Sequence, residues 1–354
     1  MINLELSNKI KLISLLSIVM VIYIHNYNIK EGMVYFFDID SSLAFINIFI
    51  QNLFSEGFSR TAVPIFFLIS SYLFFQKFTL NVYPRKIFKR IRTLFLPYLF
   101  WTTVVVLIHF TLQSIPSLTH FFNKRLIVDL SFWELFVRTW IDPLNYPLWF
   151  LRDLIVLTIL TPFVYYFLKY LPKMTLVVML ILWFLDTSLY IIDHDSLLFF
   201  TIGAYIALFQ EEFISIKISN KKFIFVLISY LCLAFFKAYL LTENGSLETV
   251  FTMVLFQKSL ILMGIIVLWF LLDRVKMLSL LFFTQFTFLF YVFHEPTLTI
   301  LEKGILALFG RSPFVSFISY LFLPVFILMG LTFFGLFLKK YFPRFIAVVT
   351  GYRV

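Results

Sequence analysis

Residues 11–26 read KLISLLSIVMVIYIHN, an almost unbroken apolar run that ends in an imidazole at His25. A helix of about 18 or more apolar residues is long enough to cross the roughly 30 Å hydrocarbon core of a membrane. Runs of this kind recur along the 354 residues of the chain, of which 61% are hydrophobic and 14% charged. Soluble globular domains are far less apolar. The sequence therefore predicts an all-α, polytopic membrane protein.

The apolar runs predict about ten transmembrane helices. The predicted spans are 10–27, 61–78, 93–113, 147–170, 174–192, 196–213, 223–242, 249–272, 277–299 and 314–338. No repeat, low-complexity tract or linker interrupts them, so residues 1–354 are expected to form a single integral-membrane domain. Two outer segments, 28–60 and 114–146, are expected to lie along the membrane surface, as the amphipathic stretch FWELFVRTWI indicates.

The distribution of positive charge predicts the orientation of the chain. The loop QKFTLNVYPRKIFKRIRT, residues 76–93, holds six lysines and arginines, and the alternate loops are basic as well. By the positive-inside rule this face is cytoplasmic, and an even number of spans places both termini there. The net charge of +10 then reflects topology and contact with anionic membrane lipids, and nucleic-acid binding is not expected.

Ionisable residues in three predicted spans are expected at the same depth. His25 follows Lys11 by fourteen residues, which places it about 21 Å higher along a helix, near the outer surface. PLWFLRDL puts Arg152 and Asp153 near the outer end of the fourth span, and FLFYVFHEP puts His294 and Glu295 near that of the ninth. Because each group would cost about 2.5–3.5 kcal/mol or more if it faced lipid, we expect them to converge around a hydrated cavity.

Each residue taken singly also has a structural interpretation. Arg152 and Asp153 could form an ordinary interfacial pair, and a lone histidine could cap a helix or hydrogen-bond a neighbour. Lys237 and Lys258 are expected to reach toward the interface or to pair locally. The shared depth of the three sites is what favours function.

The sequence resembles acyltransferase family 3, the integral-membrane O-acyltransferases of bacterial surface and exported polysaccharides, along nearly its whole length. Four stretches carry the resemblance: KLISLLSIVMVIYIHN, RTAVPIFFLISSYLFF, RKIFKRIRTLFLPYLFW and FLFYVFHEP; PLWFLRDL adds to it. Their order and spacing together are specific, although no one of them is. The family has ten helices in its membrane part, and the resemblance implies a multi-pass protein of the bacterial plasma (inner) membrane.

The resemblance implies a cytosolic acyl-CoA donor, acetyl-CoA or another short acyl-CoA, and a sugar hydroxyl of a glycan or lipid-linked saccharide as the acceptor. Arg90 and Arg92 match the family's Arg-x-Arg pair, and Lys89 lies beside them; such cations bind phosphate. One position departs from the family, which has an arginine eleven residues before the histidine where this chain has Ser14. Lys11, within about 40° of His25 around the helix, could supply that cation.

The same residues suggest catalytic roles. His25 can act as the general base that takes the hydroxyl proton, or as a nucleophile that forms an acyl-imidazole. Asp153 or Glu295 could orient His25, while Arg152 or His294 could stabilise the oxyanion. No metal is expected.

Two other classes of function compete with this interpretation. A transporter or flippase of glycan or lipid precursors could line its path with the same buried charges. A proton-coupled carrier could use the histidines and carboxylates as a relay. Neither needs a cytosolic pair of phosphate-binding arginines, and a chain with only ten glycines is not expected to have the repeat-like halves with broken helices that are typical of transporters.

Overall fold

The structure, a computed structural model, describes residues 3–29, 42–116, 125–189, 191–244 and 251–352. These residues are mostly helical, and none of them forms a β-strand. The remaining parts of the predicted outer segments, residues 30–41 and 117–124, lie outside the described residues. The all-α prediction is confirmed.

Fifteen α-helices lie in the described ranges. In chain order they are α1 Leu4–His25, α2 Ser42–Gln51, α3 Ala62–Phe75, α4 Tyr83–Arg90, α5 Leu96–Gln113, α6 Phe132–Phe136, α7 Trp149–Ile159, α8 Thr161–Tyr170, α9 Pro172–Phe184, α10 His194–Phe209, α11 Asn220–Asn244, α12 Phe251–Leu271, α13 Thr287–Phe309, α14 Pro313–Tyr341 and α15 Pro343–Val349. Shorter 3₁₀ and π-helical turns extend several of them.

Seven helical segments within the described residues are long and apolar enough to cross a membrane. They are Leu4–His25, Ser42–Phe75, Leu80–Gln113, Asn220–Glu243, Phe251–Leu271, Leu278–Phe309 and Pro313–Tyr341. The pair α7 and α8 makes an eighth if it counts as one span, whereas α9 and α10 are shorter than 18 residues. The polytopic membrane architecture is confirmed, while the count of ten and the cytoplasmic termini stay predictions.

The fourth predicted span is bent. The two halves, Tyr146–Ile159 and Thr161–Tyr170, meet at an angle of 60°. Pro162 lies in the first turn of α8, where it has no N–H to continue the ladder of the preceding helix. A hydropathy pattern counts apolar residues and does not register this break.

The second predicted span begins nineteen residues too late in the sequence-based prediction. Helical structure runs from Ser42 to Phe75 through a π-helix, Asn52–Phe58, and a 3₁₀ turn, Ser59–Thr61. Residues 42–60 are thus helical and continue into the second span, while the position of amphipathic stretches of 28–60 along the membrane surface stays a prediction. Polar residues there suggested an outer loop, yet several of them are buried against other helices.

The fifth predicted span ends earlier than expected. Helix α9 stops at Phe184 because Asp186 adopts a left-handed conformation, with φ of 50°. The N–H of Thr187 then donates to the carbonyl of Leu182, and the N–H of Asp186 to that of Trp183. This pair of bonds is a Schellman motif, which closes the helix. The described residues that follow, 185–189 and 191–192, are not helical.

The chain divides into two compact units. Unit one comprises Met1–Phe75 and Ile202–Gly335, and unit two comprises Gln76–Thr201 and Leu336–Val354. The prediction of a single domain stays a prediction.

Unit one packs around α1. Its core includes a layer between α1, α3 and α12, formed by Ile10, Ile13, Ile65, Ile69 and Leu268. A second layer joins α11 and α12 to the π-helical segment Asn52–Phe58 through small residues such as Ala234 and Ala238. Small side chains let helix backbones approach closely in a membrane. These layers fix the directions of the helices that carry the site.

Unit two packs α4 against α7, α8 against α9, and α15 against α5. The indole N–H of Trp101 on α5 donates to the carbonyl of Val349 at the end of α15, at 2.9 Å. Gly351, with φ of 66°, then brings the chain directly against the backbone of Thr93. The C-terminal helix thus supports the segment that follows α4.

Gly203→Ala should destabilise unit one. An added Cβ at Gly203 on α10 would overlap the backbone oxygen of Leu68 on α3, so the two helices would have to separate. We expect a loss of about 1–3 kcal/mol in unfolding free energy. Gly330→Ala on α14 is the matched control, because outside its own helix backbone no heavy atom of the described residues lies within 4 Å of an added Cβ there, and it should be neutral or stabilising. Thermal unfolding in detergent measures the stability of both variants. Equal shifts in melting temperature would contradict the close contact of Gly203 with Leu68.

Candidate functional site

Two histidines lie side by side in unit one. His25 is the last residue of α1, and His294 lies near the start of α13. Their ring centroids are 5.1 Å apart and their planes are inclined by 56°. His294 is completely buried and His25 is partly buried. The structure thus brings together the predicted site residues of the first and ninth spans.

The hydrogen bonds of His294 fix its tautomer. Its Nδ1 lies 2.8 Å from the carbonyl oxygen of Tyr291 and 3.1 Å from that of Phe290. A carbonyl oxygen only accepts, so Nδ1 must carry the proton and Nε2 must carry the lone pair. Within the described residues, no hydrogen-bond partner meets this buried Nε2. A buried acceptor left unpaired is costly, and such atoms are typical of functional sites.

The position of His25 is set by buried amides that follow it. Asn26 donates to the carbonyl of Tyr320 at 2.9 Å, which ties the end of α1 to α14. The backbone N–H of Asn28 donates to the side chain of Gln51, whose own amide donates back to Asn28 at 2.8 Å. The hydroxyl of Ser316 also donates to Asn28, at 2.7 Å. These side chains are at most 1% exposed, and Asn28, Gln51 and Ser316 bond to one another, whereas Oδ1 of Asn26 meets no hydrogen-bond partner among the described residues.

A charged cluster beside the histidines was missed by the sequence analysis. Arg60 donates from Nε and one Nη to the two carboxylate oxygens of Glu56, at 3.0 and 2.5 Å. Lys237, buried on α11, donates to the backbone carbonyl of Glu56 at 3.0 Å and to the side chain of Gln257. The turn that carries Arg60, Ser59–Thr61, packs against α1, the helix that ends at His25. Lys237 therefore pairs locally, and Lys258 is buried as well.

A sequence signal for this cluster exists. Glu56 and Arg60 are four residues apart, the spacing at which opposite charges meet on one helix. The sequence analysis placed both residues in an outer loop, where a four-residue spacing does not indicate an ion pair. A helix extended back to Ser42 would have revealed it.

Glu295 follows His294 by one residue and points to another side of α13. It accepts a hydrogen bond from the hydroxyl of Thr299, one turn further along, at 3.0 Å. The proposed orienting role of Glu295 stays a prediction.

Arg152 and Asp153 form a largely buried ion pair within unit two. One oxygen of Asp153 accepts from Nε and Nη2 of Arg152, at 3.0 and 2.8 Å. The other accepts from the backbone N–H of Asp193 at 2.9 Å and from the hydroxyl of Ser196 at 2.6 Å. Four donors thus engage a carboxylate that is fully buried, and the pair links α7 to the start of α10. The predicted approach of Arg152 and Asp153 to the histidines stays a prediction.

The predicted donor-binding cations differ in their surroundings. Arg90, the last residue of α4, is half-buried, whereas Lys89 and Arg92 are exposed. Arg92 lies over the ring of Phe88, at 4.8 Å from its centroid. It precedes Thr93, whose backbone contacts Gly351. The anchored backbone presents these cations at the start of a long helical span, Leu80–Gln113.

Lys11 and Ser14 lie on α1 in unit one. Lys11 is exposed, and the hydroxyl of Ser14 donates back to the carbonyl of Ile10. Lys9 is less available than Lys11 to bind an anion, because it pairs with Asp273 at 2.5 Å and lies over the ring of Trp269. Lys11 is thus the more accessible of these two lysines.

Comparison with known protein families identifies the chain. The model of acyltransferase family 3, described as an acyltransferase domain, matches residues 8–346. The chain belongs to this family. Comparisons with curated proteins and with solved structures returned no match. The chain is therefore a multi-pass membrane acyltransferase, and family membership favours an enzyme over the transporter and carrier interpretations.

This family 3 acyltransferase has one group of possible metal ligands among its described residues. Ligand atoms of Asp193, His194 and Asp195 lie within 4.8 Å of one another. They are already used inside the protein: Trp183 donates to Asp195 at 2.6 Å, and the backbone N–H of Asp195 donates to Asp193 at 2.8 Å. We interpret the group as the cap of α10, and the expectation that no metal is needed stays a prediction.

Asp153→Asn should destabilise unit two strongly. The substitution removes the buried charge that compensates Arg152 and turns an amide donor toward other donors. We expect a loss of about 3–5 kcal/mol in unfolding free energy. Asp142→Asn is the matched control: this exposed carboxylate pairs with Arg138 at 2.6 Å, and its loss should cost at most about 1 kcal/mol. Denaturant unfolding in detergent measures the unfolding free energy of both variants. A loss for Asp153→Asn as small as that for Asp142→Asn would contradict the structural role of the Arg152–Asp153 pair.

Proposed function

We propose that this acyltransferase moves a short acyl group, in the first instance acetyl, from cytosolic acyl-CoA to a sugar hydroxyl of a surface or exported glycan at the bacterial inner membrane. The observation that carries the proposal is the pairing of His25 with His294, whose buried Nε2 is a proton acceptor that meets no hydrogen-bond partner among the described residues. A sugar hydroxyl is a weak nucleophile and needs a base of this kind. Membership in an acyltransferase family supports the reaction type.

The geometry supports different roles for the two histidines, a general base and a residue that orients it. His25, the less buried of the two, takes the proton of the acceptor hydroxyl. The N–H of the resulting imidazolium then donates to Nε2 of His294, which is already fixed in the accepting tautomer by its backbone bonds. Because four donors already engage Asp153, we assign the orienting role to His294. This arrangement uses an imidazole where other enzymes place a carboxylate behind the base.

The donor is held by its phosphates in this proposal. CoA is a polyanion, and arginine forms strong charge-assisted bonds with phosphate oxygens. Arg90, Arg92 and Lys89 form a basic segment at the start of the span Leu80–Gln113 in unit two. Lys11, which is exposed on α1 of unit one, stays a predicted donor-binding cation. In this proposal the donor approaches from the cytosolic side. Membrane lipids and the glycan, or a lipid-linked saccharide, are the other partners that the proposal requires.

His294→Asn should strongly slow acyl transfer while preserving the fold. The asparagine amide can still donate to the carbonyls of Tyr291 and Phe290, but it places no acceptor at the position of Nε2. We expect a fall in kcat of about 10²–10⁴-fold, and a similar or larger fall for His25→Ala. Glycan O-acylation measured by mass spectrometry in cells reports the change.

The matched control for this test is His109→Asn. His109 makes the same kind of bond, from Nδ1 to the carbonyl of Val105 at 2.9 Å, on helix α5 of unit two. We expect nearly unchanged acylation. Acylation that persists in His25→Ala or His294→Asn, with loss of glycan export instead, would contradict the enzyme mechanism and favour a transporter.

Arg90→Ala combined with Arg92→Ala should weaken acetyl-CoA binding. Loss of two charge-assisted contacts is expected to raise Kd about tenfold or more. The remaining affinity should depend less steeply on salt, since fewer charges contribute. Arg85→Ala, an exposed residue of the same helix, is the control and should change Kd less than about twofold. Calorimetry on purified protein gives both values; an unchanged Kd in the double variant would remove these arginines from the donor site.

A further inference from the structure

The irregular segment between α2 and α3 is built against the end of α1. The π-helix Asn52–Phe58 and the turn Ser59–Thr61 interrupt an otherwise α-helical run from Ser42 to Phe75. The hydroxyl of Ser55 in this segment lies 2.8 Å from the carbonyl oxygen of Tyr23, two residues before His25. π-Helical turns are rare and occur often at functional sites. The segment therefore has a fixed relation to His25.

This segment holds a guanidinium in one orientation. Glu56 engages two N–H groups of Arg60, which fixes the plane of the fork. Lys237 holds the backbone carbonyl of Glu56, and its ammonium lies 3.9 Å from the Glu56 carboxylate. The side chain of Glu56 is 7% exposed, but that of Arg60 is 38% exposed. Glu56 therefore holds one side of the Arg60 guanidinium, while part of the Arg60 side chain is exposed.

We propose that Arg60 is a catalytic residue that stabilises the oxyanion formed during acyl transfer at His25. The inference rests on the proposed function, because it assigns a residue to the same reaction. An anchored guanidinium beside the base meets the requirement for a preorganised positive group where negative charge develops.

The reaction step balances with these groups. The acceptor oxygen forms a bond to the thioester carbonyl carbon while its proton moves to His25. The carbonyl oxygen becomes the oxyanion and receives hydrogen bonds from Arg60. The carbonyl then re-forms, the carbon–sulfur bond breaks, and the CoA thiolate takes the proton back from His25. The products are the acylated sugar and free CoA.

The other polar groups near the histidine pair fit this role less well. Nε2 of His294 carries a lone pair and cannot donate in the neutral ring, because its proton is on Nδ1. Lys237 is buried and already donates to Glu56 and Gln257. Arginine also presents a rigid fork of donors, whereas lysine presents a flexible point charge. Arg60 is therefore the better donor to an oxyanion.

The test measures thiol release from acetyl-CoA by the full-length protein in lipid nanodiscs, with glycan extracted from the source strain as the acceptor. Arg60→Ala should lower kcat by about 10²–10³-fold, the cost of one oxyanion donor, while KM for acetyl-CoA changes much less. Arg60→Lys should lose less, because it keeps the charge but not the fork. Added guanidinium ion at millimolar concentration should restore part of the activity of Arg60→Ala.

Arg138→Ala is the matched control. Arg138 pairs with Asp142 at the same four-residue spacing but is exposed, and neither residue belongs to the proposed site. Its kcat should stay close to that of the unaltered protein, and thermal melting should show that Arg60→Ala remains folded. Guanidinium should not restore His294→Asn, because that variant lacks the acceptor that orients His25 and not a cation.

Three results separate the possible failures. Unchanged kcat in Arg60→Ala, with activity lost in His294→Asn, would overturn the inference and leave the proposed function intact. A loss in Arg60→Ala that guanidinium does not restore, with a lowered melting temperature, would show a structural role and overturn it too. Activity that survives both His25→Ala and His294→Asn would instead remove the proposed function itself.

Discussion

The structure depends on one constraint: polar groups within an apolar environment must find their partners inside the protein. At the end of α1 the constraint is met by amides, since Asn26 and Asn28 bond to α2 and α14 through Gln51, Ser316 and the carbonyl of Tyr320. The amides of Asn28 and Gln51 both donate and accept, and that of Asn26 donates to α14, so the network admits few alternative arrangements. It therefore fixes the last turn of α1, and with it the direction of the His25 imidazole.

Much of the architecture could be predicted because hydropathy and helical rise are local properties. The helices, the membrane environment and the common depth of His25 and His294 follow from counting residues. Two boundaries could not be predicted in this way. Helix α9 ends at a left-handed Asp186, which depends on one backbone angle, and the helix from Ser42 contains amides that resemble a loop until their partners are known.

The same limit applies to the candidate site. Asp153 and His294 look alike in the sequence, since each is an ionisable residue near the outer end of an apolar helix. In the structure the oxygens of Asp153 accept from four donors, whereas Nε2 of His294 meets no partner among the described residues. Depth alone cannot separate a satisfied carboxylate from an unsatisfied imidazole. That distinction requires the partners, which come from distant parts of the chain.

The charged cluster shows why an enzyme of this kind would anchor its cation indirectly. A guanidinium bound only by substrate would have to be ordered at every turnover, at a cost in side-chain entropy. Glu56 orders Arg60 in advance, but a carboxylate also neutralises the charge that the oxyanion needs. Lys237 offsets this effect, because its ammonium lies near the same carboxylate and adds positive charge to the cluster. Two cations sharing one carboxylate give a group that is both fixed in place and still net positive beside His25, which is what electrostatic stabilisation of an oxyanion demands.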